Sequence, residues 1–265
     1  MDVYRHSPLI ALSLAFQVAC TTPAQPTAAI IARVDRGAAK AIDTLDLFDK
    51  ARNRSIPIVL YHADHPQNGK KPTLVLVSHG YGENKPGSYL HFSSLAKYLT
   101  VHGCAVVSIQ HELPGDELLA MKGDLRVLRR PNWERGVENI LFVLNELKRT
   151  HPEIDTDHVA LVGHSNGGDM SMLFAEEHPE LLETVISLDN RRMPLPRVGR
   201  PRICSLRAND APADEGVLPT AQEQTEFGIR IIQLPNTKHV DMDDRATEIQ
   251  QTELNSLVLD LLDGR

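Results

Sequence analysis

The chain predicts an α/β fold, a mostly parallel central sheet with helices on both faces, and three observations carry that expectation. Short apolar runs and helix-patterned stretches take turns from about residue 30 to the end. The apolar runs are continuous rather than interleaved with polar residues, as in strands buried on both sides. Alternation of the two kinds of element implies parallel strands joined by crossover helices, and ligands on such sheets bind beyond the carboxyl ends of the strands.

In chain order, RSIPIVLY (54–61) reads as an early strand, and TLVLVSHG (73–80) is an apolar run that ends at glycine. SSLAKYLTVHG (93–103) is helical and stops at Gly103, a good C-terminal cap. CAVVSIQH (104–111) is the next strand, followed by a polar, charge-rich connection, ELPGDELLAMKGDLRVLRRP (112–131). Trp133, Val137, Ile140, Leu144 and Leu147 then recur at helical spacing and form one apolar face, which puts Trp133 in the core. HVALVGH (158–164), ETVISLD (183–189), RICSLRA (202–208) and IRIIQLP (229–235) supply four further strands. Thr220-Ala221-Gln222-Glu223 is a capping box that starts a helix. Leu254, Leu257, Val258 and Leu261 mark the apolar side of the last helix.

The 265 residues suit one catalytic domain, and 42% hydrophobic with 24% charged residues is the balance of a soluble globular protein with a sizeable core. A net charge of −7, with no dominant lysine or arginine cluster, argues against nucleic acid as a partner. His62 and His65 have the spacing of a metal pair but lack a third ligand nearby. DMDD (241–244) lacks the glycine and distal glutamate of a calcium loop, and GENKPGS does not follow phosphate-loop spacing. No metal and no cofactor are expected.

At the N-terminus, PLIALSLAFQVA reads as the apolar region of a signal peptide, too short to span a membrane. Val18-Ala19-Cys20 resembles the end of a bacterial lipobox, with Cys20 as the acylated residue that would anchor the protein to a membrane. The expected organisation is a leader over 1–20, a flexible tether over 21–29 and a catalytic domain over 30–265, in an exported, periplasmic or membrane-anchored lipoprotein. Cys104 and Cys204 fall in expected buried strands and read as inert thiols, with no disulfide framework.

The sharpest chemical signal is Gly163-His164-Ser165-Asn166-Gly167, a G-x-S-x-G pentapeptide between a buried strand and a helix-like stretch. A sharp strand-to-helix turn there lifts the serine hydroxyl above the sheet edge, and glycines on either side make room for it. The amides of the helix N-terminus favour developing negative charge. A serine hydroxyl is a poor nucleophile without a base. His239, a few residues past the final strand on the same sheet edge, is the candidate to take the proton and return it to the leaving group.

The imidazole in turn needs an acid to fix its tautomer and stabilise the cation. Asp210, close behind the 202–208 strand, is the candidate, with Asp214 and Asp189, the latter at the end of ETVISLD, as alternatives. SHGYGENK (78–85) follows the strand expected to neighbour the serine strand, so backbone amides of Tyr81 and Asn166 would point at one carbonyl oxygen as an oxyanion hole. His79 is expected to brace that loop. Arg191 and Arg192 follow a strand end near the same place and are candidates for contact with an anionic substrate.

Together, SHGYG, GHSNGG, LRANDAPAD and KHVDM resemble the corresponding segments of α/β-hydrolases, within them the dienelactone hydrolase-like and platelet-activating-factor acetylhydrolase-like groups, from about residue 44 to the end. The resemblance implies a serine-dependent carboxylic ester hydrolase that cleaves a small or short-acyl ester through an acyl-enzyme. Two departures stand out: Ser165 takes the place of the cysteine of true dienelactone hydrolases, and Asn166 replaces the bulky residue common in the acetylhydrolase elbow. Lids of this superfamily usually enter between the 183–189 and 202–208 strands, where only NRRMPLPRVGRP lies, so no large cap domain and an open or shallow site are expected. An amidase or acyltransferase would use the same triad, and a non-catalytic exported binding protein on the same fold is the alternative from another class.

Overall fold

The computed structural model describes Met1, residues 42–64 and residues 70–265. The expected leader over 1–20 with Cys20, the tether over 21–29 and His65 lie outside the described residues. The strands are β1 (Ile42–Asp49), β2 (Arg54–Tyr61), β3 (Thr73–Ser78), β4 (Cys104–Ile109), β5 (Asp155–His164), β6 (Leu182–Leu188), β7 (Arg202–Arg207) and β8 (Arg230–Gln233). The main helices are α1 (Ser93–Val101), α2 (Leu125–Thr150), α3 (Asn166–Glu177), α4 (Ala221–Phe227) and α5 (Glu248–Leu262). The eight strands form one sheet in the order β1-β2-β4-β3-β5-β6-β7-β8. The β1–β2 and β2–β4 pairs are antiparallel and every other pair is parallel.

The continuous apolar runs have a direct structural cause. In β3, Leu74 and Leu76 pack with Trp133, Ile140 and Phe174 of α2 and α3 on one side of the sheet. Val75 and Val77 pack with Leu95, Leu99 and Val258 of α1 and α5 on the other. Both pleat positions are buried, so both are apolar. Cys104 and Cys204 are free and buried in β4 and β7, and burial pushes the Cys104 thiol up to about 11, which keeps it protonated.

Two elements differ from the sequence expectation. β1 was not expected as a strand, because IDTLDLFD alternates in character and lies at the sheet edge with every second residue half-buried. Helix α2 begins at Leu125, inside the stretch read as a connection, and runs through Pro131. The Asp124 side chain caps it, accepting from the Arg126 and Val127 N–H groups. The apolar face that begins at Trp133 supplies the packing that carries the helix past a residue that normally ends one.

The parallel strands end along one edge of the sheet. From β3 the chain moves outward both ways, to β4 on one side and to β5 on the other, which makes the crevice between the ends of β3 and β5 the topological switch point. Helix α3 lies close over this point because glycine permits it. A Cβ on Gly167 would fall on the carbonyl oxygens of Ser78 and His79, and one on Gly168 would lie 2.8 Å from the Gly163 carbonyl oxygen. Among the described residues no helix is long and apolar enough to cross a membrane.

Gly167→Ala should therefore lower unfolding free energy by about 1–3 kcal/mol, because backbone rather than a movable side chain opposes the methyl group. Gly199→Ala, which meets nothing within 4 Å, should stay within about 0.5 kcal/mol of the parent. Urea denaturation of the two variants checks both, and equal effects would contradict the packing described for α3.

Candidate active site

Ser165 lies between β5 and α3, at the switch point, with φ 53° and ψ −118°. Its N–H donates to the Leu188 carbonyl at 3.0 Å, and its own carbonyl accepts from Asp169 N–H at 3.0 Å. This sparsely populated backbone geometry turns the side chain up off the sheet edge. Gly80, in the loop after β3, closes over the turn: a Cβ there would lie 2.8 Å from His164 Nδ1 and 3.3 Å from Ser165 Cβ.

His239 sits at the start of a short 3-10 turn after β8, with its Nε2 2.9 Å from Ser165 Oγ. His164, the neighbour of Ser165, reaches the backbone of that turn through Nε2, 2.9 Å from the His239 carbonyl oxygen. A carbonyl only accepts, so His164 Nε2 carries the proton. Its ring is buried and packs 4.8 Å from the His239 ring.

The carboxylate against the imidazole is that of Asp189, with Oδ2 2.6 Å from His239 Nδ1. Asp210, the residue favoured from the sequence, contacts only the backbone of His239: its Oδ1 accepts from the His239 N–H at 3.0 Å and lies 3.3 Å from Arg191 Nη2. Asp214 is further out, 4.0 Å from Arg192 Nε. The reason is backbone conformation. Asp189 takes a left-handed φ of 55°, which folds its carboxylate back over the end of the sheet. Asp210 stands on a more exposed loop, where it braces the histidine turn.

Asp189 is fully buried, with His239, Arg191 and Arg207 around its carboxylate and the Ala208 N–H donating to Oδ1 at 3.2 Å. Arg207 Nη2 lies 2.7 Å from Oδ1, and Arg191 donates to Oδ2 from Nη2 at 2.8 Å and from Nε at 3.0 Å. Burial pushes the carboxyl up, but His239, Arg207 and Arg191 outweigh it and hold the group down at about 2. Of the two candidate substrate-contact arginines, Arg191 is engaged by Asp189 and Asp210, while Arg192 lies 4.0 Å from Asp214 with its Nε lacking a hydrogen-bond partner among the described residues. Asp169 of α3 fixes the segment behind them, accepting from the N–H groups of Arg192 and Met193 and from Asn190 Nδ2.

On the other side of Ser165, two backbone donors stand free. Asn166 is the first residue of α3, where an N–H has no intrahelical partner. The Tyr81 N–H likewise meets no acceptor among the described residues. His79 fixes the loop that carries the second donor. Its Nε2 accepts from the His111 N–H at 3.1 Å, so its Nδ1 holds the proton and donates to the Gly80 carbonyl at 2.7 Å. The Gly80 carbonyl and the Tyr81 N–H belong to one planar peptide, so holding the first sets the direction of the second.

The sequence did not single out His164, Arg207, Asp169 or Glu112 as site residues. Trp133 is in the core as expected, but its Nε1–H also donates to Asn166 Oδ1 at 2.9 Å. The available signal was polar or charged residues lying directly at the carboxyl ends of apolar strands, as in SIQHE and SLR. Among the described residues no three His, Cys, Asp or Glu side chains gather as a metal-binding group.

No protein-family model matches the chain, and no curated protein matches it in sequence. Solved structures match its fold. A dienelactone hydrolase-like promiscuous phosphotriesterase from metagenomic libraries is 18% identical and aligns with a TM-score of 0.63 over 86% of this chain and 99% of its own. An S-formylglutathione hydrolase from Agrobacterium tumefaciens is 10% identical, with a TM-score of 0.58 over 88% of this chain and 98% of its own. A thermostable esterase is 18% identical, with a TM-score of 0.58 over 83% of this chain. This chain spans 62% of that esterase's length. The chain has the α/β-hydrolase fold, with no large cap between β6 and β7.

The buried histidines make acid stability testable. Burial holds His79 and His164 down at about 4, and burial with His79 beside it holds His111 well below the ordinary value. The unfolded chain takes up these protons below about pH 6.5 while the folded chain does not. The stability these histidines contribute is therefore full above that pH and falls as pH drops toward 4, by up to about 1.4 kcal/mol per pH unit for each, opposed in part by the raised carboxyls of Glu112 and Asp169. Urea unfolding between pH 7 and 4 should show this slope, and His164→Asn should make it shallower.

Proposed function

We propose that this protein is a serine-dependent carboxylic ester hydrolase acting on small or short-acyl esters through an acyl-enzyme. The observation that supports this most directly is the contact chain from Ser165 Oγ to His239 Nε2 at 2.9 Å and from His239 Nδ1 to Asp189 Oδ2 at 2.6 Å. The fold likeness to esterases and other hydrolases agrees with ester chemistry.

In this reading Ser165 Oγ attacks the ester carbonyl while His239 Nε2 accepts its proton. Asp189, ionised across the whole working range, holds the Nδ1–H tautomer and stabilises the imidazolium that forms. The Asn166 and Tyr81 N–H groups receive the developing oxyanion, each worth about a hundredfold to a thousandfold. His239 then returns the proton to the alcohol, which leaves. Water attacks the acyl-Ser165 ester next, with His239 again as base, and the acid is released. Asp210 serves the turn that carries His239 rather than the imidazole itself. The short β6–β7 connection holds no cap domain, which suits short acyl groups. Export through the N-terminal leader, with Cys20 as a lipid anchor, belongs to the same proposal.

With p-nitrophenyl acetate the purified protein should release a burst of nitrophenol, and a fluorophosphonate probe should label it. Ser165→Ala should lose both; retained activity would remove the serine from the chemistry. Asp189→Asn should lower kcat by about a thousandfold to ten-thousandfold, and Asp210→Asn by less than about tenfold. The opposite ranking would return the acid's role to Asp210.

A further inference from the structure

Glu112 follows β4 and is 1% exposed, with a carboxylate between the supports of the two backbone donors. Its Oε1 accepts from Asn166 Nδ2 at 3.1 Å. The same Asn166 amide also meets Asn132 Oδ1 at 2.8 Å and Trp133 Nε1 at 2.9 Å, so the first residue of α3 is held by three side chains. Glu112 Oε2 has no hydrogen-bond partner among the described residues. His79 Nδ1 lies 3.6 Å from it and donates its proton to the Gly80 carbonyl.

We propose that Glu112 is a positioning residue that couples the two oxyanion donors, and that its uncharged form is the one in which they are aligned. This rests on Ser165 being the nucleophile. Two effects give the direction. An ionised Oε2 would draw the His79 Nδ1 proton away from the Gly80 carbonyl and so release the peptide that aims the Tyr81 N–H. A buried negative charge one hydrogen bond from Asn166 also opposes the negative charge that develops on the reacting oxygen. Both effects slow the reaction when Glu112 is ionised.

The groups that face Glu112 come from every side. His79 lies in the loop after β3, Asn166 on α3, Asn132 and Arg135 on α2, Arg54 on β2, and Asp116 on its own segment. Arg54 pairs with Asp116 and donates to the His111 carbonyl, while Arg135 Nη2 lies 3.6 Å from Asp116 without a hydrogen-bond partner among the described residues; both guanidiniums act to lower the Glu112 carboxyl. Burial pushes the carboxyl up to about 7, against the Asn166 bond and Arg135, with Asp116 adding to the rise. His79, held at about 4, stays neutral throughout. Activity therefore falls as pH rises through the neutral region.

The test is the pH profile of kcat/KM for p-nitrophenyl acetate from pH 5.5 to 9, for the parent, Glu112→Gln and Glu112→Asp, with folding checked by circular dichroism. The parent should give a bell whose falling limb begins near pH 7 and spans about tenfold. Glu112→Gln should rise and then stay level, and Glu112→Asp should keep a falling limb. A parent with no falling limb below about pH 8.5, or a Glu112→Gln profile that falls with the parent's, overturns the inference. If Glu112→Gln does not fold, the parent and Glu112→Asp profiles decide. Activity surviving in Ser165→Ala would instead overturn the reading of the site, so the two failures are separable.

Discussion

The whole site depends on a single unfavourable backbone turn. Ser165 is held at a φ and ψ that cost on the order of 1–3 kcal/mol, and such a turn persists only where its surroundings leave no alternative. Here the constraint comes from close packing around missing side chains. Gly163, Gly167 and Gly168 let α3 descend onto the ends of β3 and β5, and Gly80 lets the neighbouring loop close over His164 and Ser165. The hydrophobic core on both sheet faces supplies the rigidity. Ser165 is the point at which that rigidity is converted into a half-buried, positioned hydroxyl.

Around this turn the protein separates two electrostatic environments. On one side Asp189 stays ionised because Arg207, Arg191 and His239 surround it. On the other, His79, His111 and His164 are kept neutral by burial and serve as hydrogen-bonding spacers, the first and last with fixed tautomers. The first side holds charge steady for the base. The second sets neutral imidazoles nearest the backbone donors, with the charges of Arg54, Arg135 and Asp116 gathered behind them. Within it Glu112 is the carboxyl that burial raises.

The fold and two of the three side chains in the contact chain were legible in the sequence for one reason. Strands buried on both faces must be apolar throughout, and a serine flanked by glycines at such a strand's end has few other uses. β1 was hidden because an edge strand needs only one apolar face, and the start of α2 because Pro131 and a run of charges masked it. The acid was ambiguous for a geometric reason. β6 and β7 pair in register, with Leu188 opposite Leu206, so Asp189 and Asp210 leave the sheet side by side. The choice between them turns on one left-handed φ, which a sequence does not spell out. Glu112 and Arg207 act through residues distant in the chain and are announced only by a charge at the carboxyl end of an apolar strand; Asp169, inside α3, has no such local sign.

The bond from His164 to the His239 carbonyl has a mechanical consequence. It ties the turn bearing the base to the residue next to the nucleophile, so the two are not independent bodies that must find each other by thermal motion. A displacement of either one is transmitted to the other and becomes common to both. Their absolute positions can drift with breathing of the sheet edge while their separation holds.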